Sequence, residues 1–371
     1  GLTVIVTDHH DVPFDEVNGV KEYRVPPADA VVNPKQEDCQ YPFKLLCGAG
    51  VAYKLISLIY ERLRLDTKDM EEYREFMAIA TVGDIVDLID ENRVVVKYGL
   101  KHIAHTVNTG LKALVEECGV DINNISSYHI GFVIGPCLNA SGRLDTARKA
   151  IELMLCKNTE EAHNMARELI TLNTERKQMT EDETAKAIEL VEKNDMLKDR
   201  VLVIYLPDCH ESIAGIIAGR IKERYYRPTF VITNAEEGAK GSGRSIEGYN
   251  MYEEINKCKN VLTKYGGHPM AAGLSLETAD IDVFRKMLND NATLDDSDLI
   301  PKTWIDVPMP VGYASMGLVG QLKLLEPFGK GNEKPVFADR DLYVKTASII
   351  GKNRNVLKMQ LETKEGYIVQ A

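Results

Sequence analysis

The sequence predicts an α/β protein in which two α/β regions are joined by a long helix. Residues 1 to about 105 alternate β-like and helical hydrophobic patterns, which is typical of an α/β layer. Residues 158–194 lack glycine and proline and are rich in Glu, Lys, Ala and Leu, so they are predicted to form an exposed connecting helix. A β-like run at 201–205, a helical stretch at 212–226 and another β-like run at 229–233 then predict a second α/β domain.

The first predicted strand is the apolar run 2–6, which is followed by the polar triplet Asp8, His9 and His10. Open α/β sheets place their ligands and catalytic groups at the carboxyl edge of parallel strands. Two adjacent imidazoles behind a carboxylate therefore suit a metal site. The alternative is a polar turn that only ends the strand, and the triplet alone does not decide between the two.

A second candidate ligand is Asp84, which follows a glycine inside the apolar run 76–88. A carboxylate beside buried apolar residues is costly unless it is paired or bound to a metal. The alternative is that Asp84 caps a helix beginning at Ile85, and on the sequence alone this interpretation is at least as good. Asp87 and Asp90 are predicted to be solvated.

Two further helices are predicted at 49–63 and 97–117. The apolar residues of the first recur at helical spacing, so this helix should pack on the sheet. The second carries His102 and His105 three residues apart, a spacing that could bind a metal. No other ligand accompanies them, so exposed polar side chains are the favoured interpretation.

Length and composition indicate a multidomain cytoplasmic protein. The 371 residues suffice for two or three domains. We find neither a signal peptide nor an apolar run near the roughly 18 residues that a membrane span needs, so no membrane partner is predicted. The seven cysteines include no Cys-x-x-Cys pair, which argues for reduced thiols and against a zinc ribbon.

The formal net charge of −11 argues against strong nonspecific binding to nucleic acid. It does not exclude a nucleic-acid enzyme, because positive charge is needed only where the strand lies and bound metal ions add charge that a residue count omits. Basic residues cluster at 220–227 and at 352–358. A solvated face is the favoured interpretation of both clusters.

Nine short blocks occur in a definite order along nearly the whole chain. They are Val6-Thr-Asp-His-His10, Asn33-Pro-Lys35, Tyr41-Pro-Phe-Lys44, Leu46-Cys-Gly-Ala-Gly-Val-Ala52, Leu138-Asn-Ala-Ser-Gly-Arg-Leu144, His210-Glu-Ser-Ile-Ala-Gly-Ile216, Gly241-Ser-Gly-Arg-Ser-Ile-Glu-Gly248, Gly266-Gly-His-Pro-Met-Ala-Ala-Gly273 and Leu325-Glu-Pro-Phe-Gly-Lys-Gly-Asn332. The ordered set resembles the DHH phosphoesterase family, and in particular its RecJ-type exonucleases of single-stranded DNA. Any one block is a weak motif because glycine clusters are common, but the ordered set is specific.

The resemblance implies four segments. Residues 1–157 would be the C-terminal part of a parallel-sheet DHH phosphoesterase domain, and residues 158–195 the connecting helix. Residues 196–294 would form a DHHA1-type substrate domain, which is the second α/β domain. Residues 295–371 would be a linker and part of an OB-type β domain, a fold that commonly cradles single strands.

In one respect the chain departs from the family pattern. RecJ relatives carry an earlier stretch with an Asp-x-Asp motif and a further aspartate, which complete a two-metal site. This chain begins at Gly1, inside the first strand of the pattern, and ends at Ala371 within a β-like segment. We therefore expect a fragment that lacks half of its metal ligands and is inactive by itself.

The resemblance also implies a role for each residue at the strand end. His9 and Asp84 would ligate Mn²⁺ or Mg²⁺, since mixed imidazole and carboxylate donors suit Mn²⁺ and tolerate Mg²⁺. His10 would contact the scissile phosphate or its metal-bound oxygen, and Asp8 would ligate the metal or orient a ligating histidine. His10 and Asp8 are therefore the predicted catalytic residues.

Later blocks supply the predicted substrate contacts. By resemblance, Arg143 and Arg244 hold the 5′ phosphate of the strand, and arginine suits phosphate because its planar fork donates two parallel hydrogen bonds. Arg143 is predicted near a helix start, and 266–268 is predicted to be a compact loop. The alternatives are surface salt bridges for the arginines and a structural role for the histidine. The predicted substrate-binding residues are Asn139, Arg143, Ser242, Arg244, Gly266, Gly267 and His268.

The predicted function is therefore metal-dependent 5′ to 3′ exonuclease action on single-stranded DNA, in DNA repair and recombination. A single-strand-binding protein and a helicase are candidate protein partners. One alternative is a phosphodiesterase of short oligonucleotides or cyclic dinucleotides, but such an enzyme has no need of the strand-holding segment that follows residue 325. The other is a noncatalytic nucleic-acid-binding scaffold, against which the intact residues Asp8, His9, His10 and Asp84 argue.

Overall fold

The structure is a computed structural model that describes residues 1–144, 146–351 and 354–371, with the backbone alone described at Val17, Asp69 and Glu71. Lys352, which opens the second basic cluster, lies outside the described residues. The chain divides into two compact units. The first unit comprises Gly1–Gly135, Cys156–His163 and Thr303–Ala371, and the second comprises Pro136–Leu155 and Asn164–Lys302.

Strands and helices are numbered here in chain order. The strands are β1 (Ile5–Thr7), β2 (Phe14–Val17), β3 (Val20–Tyr23), β4 (Ala30–Val32), β5 (Leu202–Tyr205), β6 (Thr229–Asn234), β7 (Ala239–Arg244), β8 (Lys264–His268), β9 (Ala271–Leu276), β10 (Val307–Pro308), β11 (Phe337–Ala338), β12 (Tyr343–Ile350), β13 (Val356–Glu362) and β14 (Ile368–Gln370). The α-helices are α1 (Gly48–Leu63), α2 (Met70–Gly83), α3 (Asp90–Ile103), α4 (Thr109–Glu117), α5 (Ser127–His129), α6 (Gly135–Leu144), α7 (Arg148–Leu155), α8 (Thr159–Lys193), α9 (Glu211–Tyr225), α10 (Met251–Lys257), α11 (Ile281–Asn291) and α12 (Met316–Leu322).

The first unit opens with a short parallel pair of strands. Strand β1 pairs with β4, with Ile5 opposite Ala30 and Thr7 opposite Val32, while β2 and β3 form an antiparallel hairpin between them in sequence. The strand is shorter than the predicted run 2–6, yet it ends directly before Asp8. The predicted position of the triplet at the carboxyl end of a parallel strand is therefore confirmed.

Helices α1 to α4 follow, and they include the helix predicted at 49–63. The single helix predicted at 97–117 is wrong, because Asn108 begins a new helix there: its side chain accepts a hydrogen bond from the Leu111 amide at 2.8 Å. His102 lies in the last turn of α3 and His105 in the turn after it. Neither joins a cluster of metal ligands within the part of the chain that the structure describes.

The C-terminal part of the first unit is built from short strands. Strands β12, β13 and β14 form an antiparallel sheet in that order, and β10 pairs in parallel with β11. This agrees with the OB-type β domain that was predicted within residues 295–371. Helix α12 lies between β10 and β11 in the sequence.

Helix α8 spans 35 residues, as the lack of glycine and proline predicts. Asn158 caps it, since its Oδ1 accepts a hydrogen bond from the Glu161 amide at 3.0 Å. The helix is not exposed along its whole length, because Leu169 and Val191 are buried. No described helix has both the length and the apolar composition needed to cross a membrane.

The second unit is organised around a mixed sheet with the strand order β5-β6-β7-β9-β8. Strands β5 and β6 are parallel and the remaining pairs are antiparallel. One face packs against α9 through side chains such as Ile213 and Ile217, and the other packs against α10 and α11. On that second face, Phe230 and Phe284 meet edge to face with ring centroids 5.4 Å apart.

Candidate functional site

The triplet Asp8, His9 and His10 forms a tight polar turn at the end of β1. The Asp8 amide extends the strand pairing by donating to the Val32 carbonyl oxygen at 3.0 Å. The Oδ1 atom of Asp8 then accepts hydrogen bonds from the His9 amide at 2.7 Å, the His10 amide at 3.1 Å and His10 Nδ1 at 2.7 Å. One carboxylate oxygen therefore fixes both the turn and the direction of the His10 ring.

These hydrogen bonds favour the ionised form of Asp8. Burial alone raises the pKa of the Asp8 carboxyl, but the bonds from the His10 side chain and from the two backbone amides outweigh burial, so the pKa lies below its usual value. All three bonds converge on Oδ1. The Oδ2 atom therefore stays available as a ligand for a cation.

His9 and Asp84 meet although they are far apart in the sequence. His9 Nδ1 lies 3.5 Å from Asp84 Oδ2, and the two side chains are 19% and 43% exposed. The His9 ring packs on Gly48, the first residue of α1, where a Cβ atom would lie 3.3 Å from His9 Cδ2. A glycine at this position therefore lets the imidazole approach the helix closely.

Asp84 directly follows the last residue of α2. Its amide donates to the Ala80 carbonyl oxygen at 2.9 Å, so it extends the helical hydrogen bonding. The alternative that Asp84 caps a helix beginning at Ile85 is wrong, because the next helix begins at Asp90. A carboxylate at a helix C-terminus lies near the negative end of the helix dipole. A cation close to Asp84 would therefore stabilise it.

Together these side chains fit a divalent cation. The ligand atoms of Asp8, His9 and His10 all lie within 4.8 Å of one another, and Asp84 adds a carboxylate oxygen beside His9. The donors are imidazole nitrogens and carboxylate oxygens, a mixture that suits Mn²⁺ and tolerates Mg²⁺. Among the described residues, this triplet is the one group of at least three such side chains that meets the distance.

Asn33 supports the turn, and the sequence reasoning assigned it no role. Its Nδ2 donates to the His10 carbonyl oxygen at 2.9 Å, and its Oδ1 accepts from the Lys35 amide at 2.9 Å. Lys35 also pairs with Asp11, with Nζ 2.9 Å from Oδ1. The block Asn33-Pro-Lys35 was the available signal, since a buried asparagine is usually held by backbone partners.

In the second unit, Arg143 contacts the first turn of α9. Its Nη1 donates to the Ser212 carbonyl oxygen at 2.6 Å. The predicted position near a helix start is wrong, because Arg143 lies in the last turn of α6 and cannot offer free backbone amides to an anion there. Asn139 lies four residues earlier on the same exposed helix face.

Arg244 ends strand β7 and reaches the same helix. Its Nη1 donates to the Gly243 carbonyl oxygen at 2.8 Å, and its guanidinium lies against Gly215 of α9. Burial, followed by repulsion from Arg143, lowers the pKa of the Arg244 guanidinium. Arg143 and Arg244 therefore come together around the N-terminal half of α9.

The predicted residues of β7 and β8 form two rows across one face of the sheet. The first row is Ser242, Gly273 and Gly266, and the second is Arg244, Ala271 and His268. Neighbouring strands lie about 4.8 Å apart, so residues at the two ends of a row are roughly 10 Å apart at Cα. Ser242, Arg244, Gly266 and His268 therefore share one face.

The compact loop predicted at 266–268 is wrong, because these residues lie within strand β8. Gly267 points away from the face that Gly266 and His268 share, since successive residues of a strand alternate. A Cβ atom on Gly267 would lie 2.4 Å from the Ala271 carbonyl oxygen. Gly267 therefore serves close strand packing, which explains its glycine without a ligand.

A cavity of about 420 Å³ extends from Ser242 along the same face. Its lining includes Ser212 of α9 and two lysines, Lys240 and Lys264, that the sequence reasoning did not select. Lys240 pairs with Glu211, with Nζ 2.7 Å from Oε2. The signal for Lys240 was its position two residues before Ser242, which places both side chains on one face of a strand.

Four arginines of the second unit influence one another electrostatically. Burial first, and then the charges of Arg143 and Arg220, lower the pKa of the Arg176 guanidinium. Arg176 is held by Asn173, whose Oδ1 accepts from Nη2 at 2.8 Å. Within the described residues, none of Arg143, Arg176, Arg220 and Arg244 has a carboxylate as an ion-pair partner. Such a group of like charges is stabilised by a bound anion.

Three family models match the chain. The DHH family N-terminal domain matches residues 1–81, the DHHA1 domain matches residues 198–293, and the RecJ OB domain matches residues 305–371. The Asp8 triplet lies in the first match, Arg244 of β7 in the second, and strands β10 to β14 in the third.

Curated relatives resemble the chain along nearly its whole length. The single-stranded-DNA-specific exonuclease RecJ of Bacillus subtilis is 36% identical over 99% of this chain and 45% of its own length. The protein of the same name from Escherichia coli is 35% identical over 91% of this chain and 60% of its own length. The chain thus spans about half the length of the curated relatives it matches.

Solved structures give the same result. RecJ from Thermus thermophilus in complex with Mn²⁺ superposes with a TM-score of 0.82 at 29% identity, over 100% of this chain and 52% of that one. A structure of exonuclease RecJ bound to manganese superposes with a TM-score of 0.63 at 31% identity, over 77% of this chain and 68% of that one.

Proposed function

Because this chain belongs to the RecJ family of DHH proteins, we propose that it acts as a metal-dependent exonuclease that hydrolyses single-stranded DNA from the 5′ end. One observation carries the proposal above the others. Asp8, His9 and His10 lie together at a strand end, and His9 meets Asp84 at a helix end, so imidazoles and carboxylates converge at one place.

His9 and Asp84 would hold the metal, Mn²⁺ or Mg²⁺. A divalent cation bound there would make a water molecule more acidic and neutralise charge that develops on the phosphate. Asp8 fixes the His10 ring through its Oδ1, and the exposed His10 ring can then donate a hydrogen bond to a phosphate oxygen. His10 is therefore the proposed catalytic contact, and Asp8 orients it.

The reaction is the displacement of a 3′ oxygen from phosphorus. The water oxygen forms a new bond to phosphorus, the bond from phosphorus to the 3′ oxygen breaks, and the leaving oxygen gains a proton. The products are a nucleotide with a free 3′ hydroxyl and a shorter strand with a new 5′ phosphate. Each cut thus regenerates the same type of end for the next cut.

Arg143, Ser242 and Arg244 would bind that 5′ phosphate. Two guanidinium groups that have no carboxylate partner among the described residues, beside a strand serine, offer several donors to an anion. We propose that Asn139, Gly266 and His268 contact the first nucleotides. We do not assign Gly267 a direct contact, because its Cβ position faces Ala271.

Four ligating side chains are enough for one divalent cation but too few for two cations. A two-metal site needs more ligands than Asp8, His9, His10 and Asp84 supply together. We therefore propose that this chain alone hydrolyses DNA weakly or not at all. We also propose that the protein acts in DNA repair and recombination in the cytoplasm. A single-strand-binding protein and a helicase are its proposed partners there.

The test is Mn²⁺-dependent digestion of single strands labelled at the 5′ or the 3′ end. It compares this chain with a form extended at its N-terminus to the length of the relatives, and each with its His9→Ala variant. Early release of the 5′ label by the extended form, abolished by His9→Ala, supports the proposal. Binding of single strands without cutting in either form would instead favour a noncatalytic scaffold.

A further inference from the structure

The loop that follows Asp84 has a strained backbone. Ile85 has a φ of 56° and Asp90 has a φ of 40°. Positive φ angles are costly for side chains, and most of all for β-branched ones such as Ile85, which is also 68% exposed and gains little from burial. Such conformations persist only where the surrounding structure holds them in place, and they concentrate at functional sites. Contacts with another segment of the chain must therefore stabilise the loop 84–90.

Residues 324–332, which we name the strap, provide that hold from the far end of the same unit. The Leu88 amide donates to the Lys330 carbonyl oxygen at 2.6 Å. Lys330 Nζ lies 3.5 Å from Asp87 Oδ2, so the prediction that Asp87 is merely solvated is wrong. Leu88 itself is buried, with 2% of its surface exposed.

Two glycines let the strap backbone come this close. A Cβ atom on Gly329 would lie 2.6 Å from Leu88 Cδ1, and one on Gly331 would lie 3.0 Å from Asp87 Cβ. Gly331 also has a φ of 73°, which favours glycine. The two glycines on either side of Lys330 therefore face two neighbouring loop residues, Gly329 facing Leu88 and Gly331 facing Asp87.

The strap is fixed at its other contacts, so it can act as a rigid support. Arg93 Nη2 donates to the Leu325 carbonyl oxygen at 3.0 Å, and Ser127 Oγ donates to the Phe328 carbonyl oxygen at 2.6 Å. Asn332 Nδ2 closes the strap on itself by donating to the Leu325 and Pro327 carbonyl oxygens at 2.9 and 2.8 Å. Arg93 and Ser127 belong to the first unit but not to the loop 84–90.

We propose that the strap is a positioning element for Asp84: it holds the loop 84–90 so that the Asp84 carboxylate faces His9. This inference rests on the proposed metal site. It assigns Gly329, Lys330 and Gly331 a role in metal affinity, although none of them is a ligand. It also means that the segment matched by the RecJ OB domain contributes to the geometry of the metal centre, besides any contact with DNA.

The test is Gly329→Ala in this chain, with Gly320→Ala as the matched control. Both replace a glycine by alanine in the same C-terminal segment, but a Cβ atom on Gly320 meets nothing within 4 Å. Titration with Mn²⁺ alone should show an affinity for Mn²⁺ that is roughly 10-fold lower in Gly329→Ala. Losses of this size are typical when a residue that supports a metal ligand is changed. Both variants should keep the wild-type circular dichroism spectrum, and their binding of single strands without metal should stay at the wild-type level.

Adding Leu88→Ala to Gly329→Ala removes the methyl group that the new Cβ atom would strike, so part of the Mn²⁺ affinity should return. Ser127→Ala is a milder variant that deletes one hydrogen bond to the strap, and it should lower the affinity about 3-fold. It keeps the test decisive if Gly329→Ala fails to fold. Wild-type Mn²⁺ affinity in both Gly329→Ala and Ser127→Ala would overturn the proposal.

Amide hydrogen exchange over residues 84–90 separates this inference from the proposed function. The exchange rate should rise in Gly329→Ala, because the Leu88 amide loses its acceptor, and stay unchanged in Gly320→Ala. If wild type binds no Mn²⁺ but exchange still rises, the metal site fails while the strap does hold the loop. If the exchange rate is unchanged in Gly329→Ala, the strap does not hold the loop 84–90, whatever the Mn²⁺ affinity turns out to be.

Discussion

The guanidinium of Arg244 lies against the backbone of Gly215, so closely that a Cβ atom on Gly215 would be 2.8 Å from Arg244 Nη2. Helix α9 thus has a gap on the side that faces strand β7, and a charged group occupies it. The gap seats Arg244 near Arg143 while both keep donors for an anion.

Gly215→Ala should therefore displace Arg244 and weaken binding of 5′-phosphorylated single strands by roughly 10-fold, the loss expected for hydrogen bonds to a charged group. Gly219→Ala is the control on the same helix, because its Cβ atom meets nothing within 4 Å. It should leave binding unchanged and stabilise the helix by about 0.5–1 kcal/mol. Fluorescence anisotropy with labelled strands measures the binding, and equal losses in both variants would contradict the role of the gap.

Arg244→Gln should reduce the preference for a 5′ phosphate over a 5′ hydroxyl while leaving Mn²⁺ binding intact. For phosphorylated strands, the logarithm of the binding constant falls as the logarithm of the salt concentration rises. The steepness of this dependence should decrease by about 0.7, because one phosphate contact is lost. Strands with a 5′ hydroxyl should show little change. A parallel loss on both kinds of end would show that Arg244 contacts an internal phosphate or supports the fold.

Asp84→Asn should lower Mn²⁺ affinity at least about 10-fold, since it removes the charge that faces His9 across 3.5 Å. His105→Ala is a suitable control, because His105 is an exposed histidine outside the metal-ligand cluster. Isothermal titration with Mn²⁺ and with Mg²⁺ compares the two variants. Unchanged affinity in Asp84→Asn would remove this residue from the ligand set.

Glu75 should make the stability of the first unit depend on pH. Burial raises the pKa of Glu75, and a hydrogen bond from Thr106 Oγ1 opposes the shift only in part. A folded pKa above the unfolded value of about 4.5 means that Glu75 stabilises the fold below that pH and loses this contribution as the pH rises through the folded pKa.

Glu75→Gln should therefore raise the thermal midpoint at pH 7 by roughly 2–4 °C and have little effect near pH 4. Glu181 lies at an exposed position of α8, so Glu181→Gln should leave the thermal midpoint unchanged at both pH values. Melting curves by circular dichroism across pH 4 to 8 provide the measurement. A larger gain at pH 4 than at pH 7 would reverse the sign and refute the interpretation.

The sequence by itself determined the features that depend on neighbouring residues. The strand before Asp8 and the helix from Thr159 to Lys193 could be predicted, because hydrophobic spacing and the lack of glycine and proline are local properties. The order of the nine blocks is likewise read directly from the sequence. The contiguous part of the metal site, from Asp8 to His10, was found for the same reason.

Only the tertiary structure decided which distant residues meet. The approach of Asp84 to His9, the seat of Arg244 on Gly215 and the hold of the strap on Leu88 depend on packing between elements far apart in the chain. The residues 266–268, predicted as a loop, became a strand because β9 supplies their hydrogen-bond partners. A glycine-rich stretch carries little local preference, so its conformation is set by the neighbour against which it packs.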